Sequence, residues 1–272
     1  GQRVEDRRGA AQPPPAQGGR WPCRPPGLPP ARLSRYNEGV KSHYYSQHAA
    51  GLRSELSRAL TRDEMRAFHT KRPARHFLAA FRQFALLGAA TWGLIRFEQP
   101  WIWVPLAVVQ GFTVFNFTVM LHEVLHHLVF ERRHPRLERA LALLYAIPSG
   151  IAASQFTRWH LDHHAELGSD DDDPKRHHLT PKIIARWYKL LYMTPALFPI
   201  YFRAARRETS TYPAPLRQTI AWERRAAIGF HLGVLALISW TLGFDAALRA
   251  HVIPVFFVFP VAFTLNRLGQ HY

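Results

Sequence analysis

Two pairs of apolar stretches constrain this chain more than any other feature. Residues 77–97 and 101–121 are each long enough to cross a hydrocarbon layer, and only Glu98, Gln99 and Pro100 separate them. A spanning helix needs about 20 apolar residues, and so short a link permits only a tight turn, which predicts a helical hairpin. Residues 226–244 and 251–265 predict a second hairpin, joined by residues 245–250 and interrupted by Pro254 and Pro260. Lipid offers backbone groups no hydrogen-bond partners, so stretches of this length must satisfy their own as helices. The expected fold class is all-α and integral membrane, with four transmembrane helices arranged as two hairpins.

Charge orients this layout. The formal net charge is +16, and of the 35 Lys and Arg residues 15 fall in residues 1–76 and 16 in residues 122–225. The two outer turns hold only Arg249 between them. By the positive-inside rule, the N-terminus and the central segment face the cytoplasm. Nucleic acid is not the expected partner, because a protein built to bind it would not leave two apolar hairpins nearly bare of cations. Residues 140–153 and 188–202 are apolar but short and contain Pro148, Pro195 and Pro199. They are expected to lie in the interface or re-enter it.

Residues 1–33 read as a disordered Pro/Arg-rich tail, with eight of the chain's 21 prolines in the first 30 residues. Residues 34–272 form the expected membrane domain. The chain starts at Gly1 and stops at Tyr272 just after an apolar run, so both ends read as cut. Within residues 31–76, Leu52, Leu56, Leu60 and Phe68 recur at helical spacing. Thr61 and Glu64 have the form of a capping box, so one helix should end near Leu60 and another begin there. The single Cys23 excludes an internal disulfide, cysteine-ligated zinc and an iron–sulfur centre within these residues. Electrons for any redox chemistry must then come from a partner.

The chemistry is concentrated in histidines. Six of the 16 lie in two short windows, HEVLHH (His122, His126, His127) and HLDHH (His160, His163, His164). On a helix, residues three and four apart share a face, so each window can aim two or three imidazoles at one point. Imidazole is the commonest metal ligand, and six nitrogens suffice for more than one ion. Glu123 and Asp162 are natural partners for the second ring nitrogens, while Trp159 and Phe156 should anchor the second helix at the interface. His69, His76, His134, His231 and His251 read as ordinary polar interfacial residues. His177 and His178 read as surface residues, and Asp170–Asp173 as a solvated acidic turn. HEVLH also matches the HExxH zinc-protease pattern, with Glu123 as general base. That alternative leaves His127 and the whole second window unemployed.

The two windows, their spacing, and a second hairpin leading to NRLGQHY resemble the integral-membrane fatty acid desaturases and their hydroxylase relatives, over roughly residues 34–272. The resemblance implies a non-haem centre of two iron ions with O2 as co-substrate. It also implies that His122, His126, His127, His160, His163 and His164 are ligands. His271 resembles an additional ligand that some members carry, and Asn266 is a weaker candidate to support the ligands. Members carry a third HxxHH box after the last span, which is expected beyond Tyr272. The implied activity is desaturation of a fatty-acyl chain, with a ferredoxin or cytochrome b5 type donor and residues 141–156 and 187–202 as tunnel walls. The alternatives are a hydroxylase or ketolase acting on a carotenoid, sterol or alkane, and a metal-binding membrane protein without turnover.

Overall fold

The computed structural model describes residues 44–167, 169, 172–174, 187 and 190–271. The proline-rich tail and the His177–His178 pair lie outside them. Every described element is helical: α1 (Tyr44–His48), α2 (Ala50–Ala59), α3 (Arg62–Phe68), α4 (Pro73–Arg96), α5 (Pro100–Leu125), α6 (Pro135–Ala146), α7 (Ala153–Ala165), a 3-10 turn (Leu191–Met193), α8 (Leu197–Thr209), α9 (Ala214–Leu242), α10 (Phe244–Ala247), a π-helical run (Leu248–Val258) and α11 (Phe259–His271). Thr61 and Glu64 form the expected capping box: the Glu64 carboxylate accepts from the Thr61 N–H at 2.8 Å, and Thr61 Oγ1 accepts from the Glu64 N–H at 3.3 Å.

Four helical rods are long and apolar enough to cross a membrane. Proline opens α4 and α5, where its missing N–H is no loss and its fixed φ suits the first turn. In their apolar stretches, 56% and 50% of the second and fourth spans is buried, against 28% and 11% for the first and third. Helix α5 and the last span therefore form the centre, with α9 facing outward. Helix α6, with 12 residues, and α8, with 13, reach only roughly 18–20 Å and do not cross.

The second hairpin departs from expectation in its bounds. Residues 245–250 are helical rather than a link, and the chain reverses at Gly243, whose φ of 89° suits a residue without Cβ. Helix α9 starts at Ala214, well before the apolar stretch, because its polar first turns pack on α7. Hydropathy marks where lipid contact starts, not where helical hydrogen bonding starts. Arg249 joins the two outer turns, with Nη2 3.6 Å from Glu98 Oε1 and Nε donating to the Leu94 carbonyl at 3.4 Å.

Pro254 explains the widened turns. It has no N–H for the Ala250 carbonyl and its ring crowds the preceding turn, while the Phe259 N–H bonds five residues back to Pro254 O. Buried Gln110 on α5 donates to the Ala250 carbonyl at 2.6 Å, satisfying it across the helix pair. One turn away, a Cβ on Gly111 would sit 2.5 Å from Val258 Cβ and 2.8 Å from Pro254 O. Small residues of this kind let membrane helices approach closely. Gly111→Leu is expected to force the central pair apart and cost at least about 1–3 kcal/mol. It would register as a lowered melting temperature in detergent. An unchanged melt would mean the two helices do not meet there.

Candidate metal centre

Helix α5 ends in the first histidine window. His122 and His126 lie one turn apart on its last turns, and their ring centroids are 4.6 Å apart. The helix closes with the Leu128 N–H bonded to Glu123 O and the His127 N–H bonded to Val124 O, both at 3.0 Å. That closure puts its next residue in the left-handed region, and here the residue is His127, with φ of 56°. Glycine usually fills this position. The reversal turns His127 away from its neighbours, and its Nδ1 donates to Glu138 Oε2 on α6 at 2.8 Å.

Helix α7 carries the second window and is fixed from three sides. Trp159 is buried against Ala204 and Ala205 of α8 rather than lying in an interface, and Phe156 stacks on the His160 ring at 5.6 Å. The first turn of α7 is held by α9. Fully buried Glu223 accepts from the Ser154 N–H and Oγ at 2.8 Å each, and is paired with Arg139 of α6. A carboxylate at a helix start satisfies orphan N–H groups and opposes the positive end of the helix dipole. The next residue, Arg224, donates to Gln155 Oε1 at 2.7 Å and to Thr209 Oγ1 at 3.0 Å.

With the two helices so held, His122, His126, His160 and His164 converge: one nitrogen from each lies within 4.8 Å of all the others. His160 is the hub, its Nε2 standing 3.1 Å from His126 Nε2 and 2.8 Å from His164 Nε2, with its ring 4.5 Å from that of His122. Ligands about 2.0–2.1 Å from one ion stand roughly 3 Å from each other, so these separations fit a shared metal. An all-imidazole donor set suits iron, zinc, copper or nickel.

His163 and His127 are each tied to a carboxylate. Buried His163 donates through Nδ1 to Asp173 Oδ1 at 2.7 Å. An imidazole held this way by Nδ1 keeps Nε2 as its lone-pair nitrogen, the arrangement of a supported metal ligand. The acidic stretch is thus not wholly solvated: Asp173 is buried, while residues 170 and 171 lie outside the described residues. Asp173→Asn is expected to lower metal affinity roughly 10–100-fold, as loss of such supports does elsewhere. Metal titration of the purified variant would check it, and unchanged affinity would remove His163 from the ligand set. His271 closes α11, with its side chain outside the described residues, and Asn266 is half-buried on the same helix.

Sequence reading expected Glu123 beside the ligands and His76 in the interface. Instead the two are partners. Buried His76 donates through Nδ1 to Glu123 Oε2 at 2.8 Å, and its Nε2 accepts from the Tyr145 hydroxyl at 3.0 Å. Burial, helped by the Glu123 charge, pushes the Tyr145 hydroxyl up to about 12, so it stays a donor. A protease of the HExxH kind needs that glutamate on the metal-bound water. Its engagement with His76 speaks against that chemistry. Asp162 accepts from Arg158 Nε at 2.7 Å. Glu138 and Glu223 were not singled out by motif, and His76 and Asp173 were read as interfacial and solvated, because the partners of all four lie beyond their own helical turn.

No curated protein and no solved structure matches this chain. The family model described as fatty acid desaturase does match, over residues 98–272, which take in both histidine windows and three of the four spans. Histidine spacing, helical hairpins and this match agree, and the chain belongs to the fatty acid desaturase family.

Proposed function

We propose that this protein is an O2-dependent desaturase of a fatty-acyl chain, carried as an acyl lipid or a thioester, that uses a histidine-ligated di-iron centre. The observation that carries the reading is the convergence of His122, His126, His160 and His164 from two separate helices at one end of an apolar bundle. These four would hold one ion. For the second ion the family resemblance offers His163, which Asp173 supports, with His127 and His271. Bound iron would supply the activation of O2 and the removal of two hydrogens from adjacent methylenes. Two external electrons and two protons complete the balance, giving one alkene and two waters.

The chain's own residues position the reaction. The α5 and α7 ends hold the ligands where spans meet the polar layer, so an acyl chain can enter laterally from lipid and bulk water is kept away. The distribution of basic residues supports a cytoplasmic site, reached by a ferredoxin or cytochrome b5 type donor. Co-expression with a reductase system, followed by mass spectrometry of membrane lipid, tests the reading. Loss of two hydrogens per acyl chain supports it. A gained oxygen would instead make the protein a hydroxylase or ketolase, and no O2 consumption with any donor would leave a metal-binding protein only.

A further inference from the structure

The first half of α4 carries a feature that neither the bundle nor the metal centre uses. Arg75, Leu78, Ala79, Phe81, Arg82 and Ala85 border a cavity of about 590 Å3, within the range of small-ligand pockets. Leu78 and Phe81 are 69% and 71% exposed. Among the described residues, no acidic one borders the cavity. Neither guanidinium has an ion pair or hydrogen bond with another described residue, whereas those of Arg139, Arg224 and Arg249 all have protein partners. Arg82 lies inside the first apolar stretch, where a cation without a counterion is costly. Snorkelling would relieve one such residue. It does not account for two arginines, two helical turns or roughly 10 Å apart, bordering the same apolar cavity.

We propose that this face binds one anionic phospholipid. Its headgroup phosphate is held by the Arg75 and Arg82 guanidiniums, and one acyl chain lies on Leu78, Ala79, Phe81 and Ala85. A guanidinium fork matches phosphate oxygens in a way an ammonium does not. Placement fits the ligand: the His76–Glu123 bond sets the start of α4 beside the end of α5, so the cavity is at the histidine end of the bundle. That is the end to which the positive-inside rule assigns the anionic leaflet.

Native mass spectrometry of the detergent-purified full chain would measure binding of phosphatidylglycerol, phosphatidylcholine and inorganic phosphate. Each arginine near such a surface contributes about 1 kcal/mol, so R75Q/R82Q is expected to weaken phosphatidylglycerol binding about 30-fold and binding of the zwitterionic phosphatidylcholine by less. The exposed control R132Q/R133Q should stay near wild type. Retained phosphatidylglycerol affinity in R75Q/R82Q overturns the proposal, as does an equal loss in the control, which would indicate only a diffuse field. Displacement of the lipid by phosphate alone would overturn the acyl part of the site. If R75Q/R82Q does not fold, R75K/R82K keeps charge and removes the fork; a several-fold loss supports the site, and unchanged affinity overturns it.

Discussion

Glu223→Ala is expected to destabilise the protein by about 3–5 kcal/mol, the usual cost of removing one partner from a buried ion pair. Glu223 is 1% exposed and does two jobs at once, as counterion for Arg139 and as cap for the first turn of α7. The Arg139 side chain is 39% exposed and can recover some hydration, which places the value toward the lower end. Loss of the cap adds about 1 kcal/mol. Arg139→Met leaves the more buried partner unpaired and should cost at least as much. The double variant should cost less than the sum, because each single change already breaks the pair. Apparent melting temperatures in detergent would measure all three. A loss under about 1 kcal/mol for Glu223→Ala would mean α9 does not fasten α7. Because α7 carries His160, His163 and His164, metal affinity should fall in the same variant although no ligand is touched.

The second large effect is on metal itself. His160→Ala removes the hub of the cluster, the ring whose Nε2 faces both His126 and His164. It is expected to cost more than the roughly 10–100-fold typical of a lost supporting residue. Metal content after purification, and competition titration with a divalent chelator, would measure it. Glu123→Gln, by contrast, alters a carboxylate engaged by His76 and should leave metal bound, with any loss appearing in stability. Equal metal loss in His160→Ala and Glu123→Gln would mean that the four imidazoles are not the principal binding group.

Much of this molecule was legible in its residue order. Length and apolarity specified four spans in two hairpins, since a helix rising 1.5 Å per residue must match the thickness of lipid. The capping box at Thr61 and Glu64 was readable because its bonds run within one turn. The i, i+4 pairs His122–His126 and His160–His164 were readable because 3.6 residues per turn puts them on one face. Reach along the chain is what limited the rest. His76 meets Glu123 across 47 residues and Ser154 meets Glu223 across 69, and no local period signals either. Helix closure at His127, which turns one expected ligand toward Glu138, depends on where α5 stops. Sequence by itself determined the four apolar spans and which helix faces carry imidazole. Only the tertiary structure decided which charges are buried and which histidines converge, because those outcomes depend on contacts between helices whose order in the chain carries no trace of their pairing.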